Sequence, residues 1–155
     1  MTSRLSFARP AVLAALAALA CGFASLAHAD DDAALAAAAK EAGAVKTDSG
    51  LVYKSLSEGK GASPAATDVV KVNYAGTLTD GKKFDASADH GGPIEFPLNR
   101  VIPCWTEGVQ KMKVGGKAKL TCPSAIAYGA RGAGGVIPPN ATLVFEVELV
   151  AIKGK

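Results

Sequence analysis

Residues 69–84 restrict the fold of this chain more than any other stretch. Val70, Val72 and Tyr74 fall on one face of an extended segment over residues 69–78, and Asp80-Gly81 then supplies a hairpin turn into Lys82-Lys83-Phe84. Side chains of a strand alternate with a period of two, so this hairpin has one face to bury and needs further strands to bury it with.

The remaining signals supply those strands and one helix. Leu51, Tyr53 and Ser55 alternate with Val52, Lys54 and Leu56 ahead of a Gly59-Lys60-Gly61 loop, which predicts a first strand. Trp105, Val109 and Met112 recur at helical spacing after Pro103, a good first helical residue, and Gly115-Gly116 closes the segment where a left-handed cap would sit. Ala118, Leu120 and Cys122 share one face of the next strand, with Lys117, Lys119 and Thr121 on the other. Leu143, Phe145, Val147 and Leu149 likewise alternate with Val144, Glu146, Glu148 and Val150. An antiparallel sheet folded over one short helix, an α+β domain, follows.

The N-terminus reads as a secretory leader. Arg4 and Arg9 precede an apolar run over residues 11–20, and Ala27-His28-Ala29 is a small-x-small cleavage pattern, so the mature chain is expected to begin at Asp30. A membrane-spanning helix needs about 20 apolar residues and this run is shorter. A lipoprotein, acylated on Cys21, ranks second because Ala18 stands where Leu is expected. Residues 30–46 are Asp-rich and then Ala-rich and read as a flexible or partly helical arm; residues 47–155 form the folded domain. Without the leader, 15 basic residues face 14 acidic ones, a net charge of about +1, which gives no argument for nucleic acid. A mature chain of 126 residues suits one core, and a monomer is the default.

The candidate chemistry is defined by what accompanies the aromatic residues. Tyr74, Phe84, Phe96, Trp105, Tyr128 and Phe145 sit in one block with no motif for a nucleophile, a metal or a phosphate. His90, in Asp89-His90-Gly91-Gly92, has no second mature histidine and reads as an exposed loop residue, so no metal site is expected. No Gly-Lys-Ser/Thr follows the glycines at 132–135, which instead permit a mobile loop over a pocket. Ser87 and Ser124 lack a histidine partner with motif support.

Several segments, in their order and spacing, resemble the FKBP-type peptidyl-prolyl cis-trans isomerases. These are Val72-Asn73-Tyr74-Ala75-Gly76-Thr77-Leu78, Asp80-Gly81-Lys82-Lys83-Phe84-Asp85, Val101-Ile102-Pro103-Cys104-Trp105-Thr106-Glu107-Gly108, Ala127-Tyr128-Gly129 and Ile137-Pro138-Pro139-Asn140-Ala141-Thr142-Leu143-Val144-Phe145. The resemblance covers roughly residues 47–152. It implies an FKBP-like antiparallel five-stranded half-barrel wrapped around one short helix, with a ligand pocket between them. Trp105 is then the pocket floor, Tyr74, Phe84, Tyr128 and Phe145 join it, and Asp85 is the polar member. Val101, Ile102 and Ile137 line the walls, and Ile94 occupies a position that is aromatic in many eukaryotic members, leaving that side less enclosed. The Ile102 N–H and the Tyr128 hydroxyl are donors to bound carbonyls.

The implied activity is rotation about X–Pro bonds in exported, unfolded or partly folded polypeptides, with no cofactor. Macrolides of the FKBP type are further candidate ligands. A binding module with little turnover and a holdase using the same apolar surface are the competing readings. Export, the even count of mature cysteines and the inward face of Cys122 together predict a disulfide between Cys104 and Cys122, with a pair of buried free thiols as the alternative.

Overall fold

The computed structural model describes residues 25–154. Most of the expected leader, residues 1–24, lies outside the described residues; the Ala29–Asp30 junction falls within a helix, α1 (Ser25–Ala39). Among the described residues no helix is long and apolar enough to cross a membrane.

Seven strands follow: β1 (Ala44–Lys46), β2 (Val52–Ser57), β3 (Val69–Leu78), β4 (Lys83–Ala86), β5 (Ile94–Pro97), β6 (Lys117–Cys122) and β7 (Leu143–Ile152). They form one antiparallel sheet in the order β1-β2-β6-β7-β3-β4, with β5 also paired to β3. The expectation of five strands differs from this in two places. The edge beside β3 is interrupted: Val69–Val72 pair with β5 and Ala75–Thr77 with β4, the break being filled by a 3-10 turn, Ser87–His90. The other edge gains β1, which pairs with β2 from inside the segment expected to be an arm. Glu41 anchors this N-terminal segment by accepting from Lys54 and Lys119 at 2.8 Å each.

The hairpin turn takes three residues. The Leu78 N–H donates to the Lys82 carbonyl at 2.9 Å, the Asp80 carboxylate accepts the Lys82 N–H at 2.9 Å, and Gly81 sits at φ 87°, a conformation that glycine adopts without strain. Asp85 is thereby returned opposite Gly76 and Lys83 opposite Thr77, with Phe84 at the irregularity between them.

The core lies between the sheet and helix α2 (Pro103–Gln110). Val70 and Val72 of β3, Leu120 of β6, and Leu143 and Leu149 of β7 are fully buried, as is Val109 of the helix. Along β7 the buried residues alternate as far as Leu149, and the extra residue Val150 opposite Lys71 and Val72 then shifts the phase so that Ile152 is also buried. The sheet and helix enclose apolar surface on one side, as the alternation requires.

Candidate active site

The site begins at α2. Pro103 is its first residue and has no N–H to satisfy, while the carbonyl of Ile102 receives the N–H groups of Trp105 at 2.9 Å and Thr106 at 3.2 Å. The Thr106 hydroxyl donates to the Leu98 carbonyl at 2.7 Å, tying the preceding 3-10 turn (Leu98–Arg100) to the helix. Val101 and Ile102 are held between these two attachments, and among the described residues no backbone carbonyl accepts the Ile102 N–H.

Trp105 is 4% exposed and stands at the centre of a set of edge-on rings. Tyr74 meets it at a centroid distance of 5.1 Å, Phe145 at 5.3 Å and Phe96 at 5.7 Å, with interplanar angles of 79–87°. Phe84 joins through Phe145 at 5.5 Å. This is the geometry that aromatic quadrupoles favour, and it fixes the indole plane from three sides. The indole N–H is buried with no acceptor among the described residues.

These rings bound a cavity of about 460 Å³ lined by Tyr74, Phe84, Asp85, Phe96, Arg100, Val101, Ile102, Trp105, Tyr128 and Phe145. Most of the residues expected to form a site are therefore brought together. Ile94 and Ile137 are not. Ile94 pairs with Val72 on β5, two residues before Phe96, and Phe96 rather than Ile94 supplies the aromatic wall on that side. Ile137 is 6% exposed, packed into the core, and its amide and carbonyl are both bonded to Ala133 at 3.0 Å. That bridge folds residues 132–137 into a small closed loop, and a Cβ at Gly132 would lie 2.1 Å from the Ile137 carbonyl.

One wall is polar. The Tyr74 hydroxyl donates to Asp85 Oδ2 at 2.7 Å, and Oδ1 of the same carboxylate meets His90 Nε2 at 2.8 Å and accepts the Ala86 N–H at 2.9 Å. Burial pushes the Asp85 carboxyl up, but the three donors prevail and hold it below its ordinary range. Burial and the bond to the Asp85 carboxylate hold the Tyr74 phenol well above its ordinary value. Tyr128, 41% exposed at the mouth, is pushed up by partial burial and by the Asp85 charge. Ser87 is 4% exposed and accepts the Tyr74 N–H at 3.0 Å, so its role is to fasten the 3-10 turn to β3.

Sequence reasoning missed Arg100 and the His90 contact. Arg100 stands one residue before the Val101-Ile102-Pro103 segment and was not counted with it. His90 was separated from any partner by its loop position, although five residues after Asp85 in a short turned segment is a spacing that brings the two side chains together.

The cavity therefore offers an apolar aromatic enclosure, one ionised carboxylate away from its floor, and hydrogen-bond donors at Ile102 and Tyr128. Among the described residues that line it there is no serine, threonine, cysteine or lysine to act as a nucleophile. A match to the family described as FKBP-type peptidyl-prolyl cis-trans isomerase covers residues 60–150. The chain is 61% identical over 119 residues to the FKBP-type peptidyl-prolyl cis-trans isomerase FkpA of Aeromonas hydrophila, an alignment covering 77% of this chain and 44% of that one. It is 55% identical over 106 residues to FK506-binding protein 1 of Dictyostelium discoideum, covering 67% of this chain and 99% of that protein. The crystal structure of FkpA from Escherichia coli superposes with a TM-score of 0.79 at 48% identity, over 82% of this chain and 59% of that chain. The chain spans about half the length of the bacterial relatives it matches.

Proposed function

Because the chain belongs to the FKBP-type peptidyl-prolyl cis-trans isomerases, we propose that it accelerates cis-trans rotation about X–Pro bonds in unfolded or partly folded polypeptides. The observation that carries this is the Trp105 cavity, enclosed by Tyr74, Phe84, Phe96 and Phe145.

Amide resonance sets a barrier of about 18–20 kcal/mol, and the uncatalysed X–Pro exchange takes tens to hundreds of seconds. Twisting the C–N bond removes the resonance and its charge separation, so the transition state is less polar than the planar amide. A cavity walled by aromatic rings stabilises that state relative to water. The proline ring stacks on Trp105, and the Ile102 N–H and the Tyr128 hydroxyl each donate to a carbonyl flanking the bond. Those two anchors hold the chain while the peptide plane turns. No covalent bond forms, and no proton moves. Asp85 keeps the Tyr74 ring in place through its hydroxyl rather than acting as a base.

Two further readings concern the ligand and the compartment. A macrolide of the FK506 type fits a cavity of this character, a reading supported by the name of the Dictyostelium relative. Export after cleavage between Ala29 and Asp30, to the periplasm or beyond, is supported by the leader pattern and by the disulfide at Cys104, since such bonds persist in oxidising compartments. Action as a monomer is the default for a chain with one core of this size.

Refolding of a protein limited by a slow X–Pro step tests the reading. Catalytic amounts should accelerate that step, and a proline-free client should be unaffected. Suppressed aggregation of the proline-free client without acceleration of the first would mark a holdase instead.

A further inference from the structure

We propose that Arg100 gives the cavity a specificity subsite: its guanidinium pairs with the carboxylate of an aspartate or glutamate flanking the proline, so that acidic proline-containing sequences are the preferred substrates. The proposal rests on the isomerase reading for its effect on turnover, and on the cavity alone for its effect on binding.

The backbone that carries Arg100 is anchored on both sides. Leu98, in the same 3-10 turn, is fully buried; its N–H donates to the Asp68 carbonyl at 2.9 Å and its carbonyl accepts the Thr106 hydroxyl at 2.7 Å. Val101 then runs extended, at φ −109° and ψ 175°, from Arg100 to Ile102. Two extended residues span at most about 7 Å, a distance that an arginine side chain covers. The guanidinium therefore serves the stretch of peptide whose carbonyl the Ile102 N–H receives. Arg100 is exposed as a residue and still lines the cavity, which places its charge at the rim rather than on the floor.

That charge has no partner within the chain. Among the described residues, none of the ion pairs includes Arg100. Asp85, the one acidic residue lining the cavity, is already engaged by the Tyr74 hydroxyl, His90 and the Ala86 N–H, and Asp89 on the following turn is paired with Lys83. An arginine fork meets a carboxylate through two parallel hydrogen bonds, a fit that a neutral amide lacks. Seating the apolar part of a peptide against Trp105 removes water from one side of such a pair and strengthens it. Asp85 acts in the opposite sense, repelling an acidic ligand, but its charge is shared among three donors while that of Arg100 is not. Acidic sequences therefore rank first, neutral ones second and basic ones last.

The test measures catalysed cis-trans exchange by NMR, which needs no cleavage site, on short peptides carrying glutamate, glutamine or lysine immediately before or immediately after the proline. With the full chain at low salt, glutamate at one of the two positions should be turned over about two- to five-fold faster than glutamine, the effect of a partly exposed ion pair, and lysine more slowly than either. The preference should vanish at about 1 M salt, where the Debye length is about 3 Å. Arg100→Gln should equalise glutamate and glutamine, and Arg100→Glu should put lysine first. Equal rates for glutamate and glutamine at both positions, lysine first in the unmodified chain, or an unchanged preference in Arg100→Gln would overturn the proposal. Trp105, the sole tryptophan, gives a readout without turnover. Its fluorescence should report tighter binding of the glutamate peptide, by the same two- to five-fold, in the unmodified chain and not in Arg100→Gln. That binding difference with no turnover of any peptide would support the subsite and overturn the isomerase reading alone; absence of both would overturn the two together.

Discussion

Cys104, in the first turn of α2, is disulfide-bonded to Cys122 at the end of β6, with 5.9 Å between the Cα atoms and both side chains fully buried. Trp105 is the next residue, so the bond fastens the pocket floor to the sheet. Replacing the pair as Cys104→Ala/Cys122→Ala should lower stability by about 3 kcal/mol, the chain-entropy contribution for a loop of this length. Turnover should persist at temperatures where the variant is folded, because thiol chemistry has no part in amide rotation. Denaturant unfolding and a peptide assay on the same sample check both statements; loss of turnover in the folded variant would show that the bond does more than brace the floor.

Gly76 sets the closeness of two cavity rings. A Cβ there would lie 2.5 Å from the tip of Phe84 and 2.9 Å from the ring of Phe145, which pack edge-on against one another. Gly76→Ala should therefore cost about 1–3 kcal/mol of stability by overpacking and lower turnover by moving the ring walls. Thermal unfolding and kcat/KM report the two effects. Wild-type values in both would mean that the rings relax freely and that their positions are not critical.

Much of this architecture was legible in strand alternation, and the exceptions have physical causes. The inward sets of β3, β6 and β7 and the helical spacing of Trp105 and Val109 place the core because burial is periodic. The split of the edge into β4 and β5 was not legible, since it depends on how the turn from Ser87 to His90 packs on β3. Ile94 and Phe96 share a strand face, and alternation alone cannot tell which of them reaches the cavity. Ile137 belongs to the core because its backbone is committed to Ala133. The His90–Asp85 contact required knowing that the intervening residues form a tight turn.

Glu41 links the N-terminal segment to β2 and β6. Hydrogen bonds from Lys119 and Lys54 lower its carboxyl from 4.5 to about 2. A depressed carboxyl contributes stability that is fully present above its unfolded value and is lost as the pH falls through the folded one. Glu41→Gln should thus lower the melting temperature at pH 7, with the difference shrinking between about pH 4.5 and 2. A difference that stays constant over that range would show that the ion pairs contribute nothing specific.

Asp85→Asn preserves shape and removes charge. Weakening one charge-assisted bond to Tyr74 should reduce kcat/KM by about ten-fold. An obligatory general base would instead be worth about 10²–10⁴-fold and would impose its own titration on the rate. Appearance of that larger loss, with the wild-type rate following carboxylate ionisation, would replace the proton-free mechanism.

The most direct test of the central claim is X–Pro isomerisation, read by a protease-coupled assay, in the unmodified chain and in Trp105→Ala, Trp105→Phe and Tyr128→Phe. Removing the floor should cost about a hundred-fold through lost apolar contact, together with about 3–5 kcal/mol of stability. Trp105→Phe, which keeps an aromatic floor, should retain more of both. Tyr128→Phe should lose about three- to ten-fold, one hydrogen bond's worth, with stability unchanged. That graded order is the result the account predicts; no acceleration by the unmodified chain, or full turnover in folded Trp105→Ala, would contradict it.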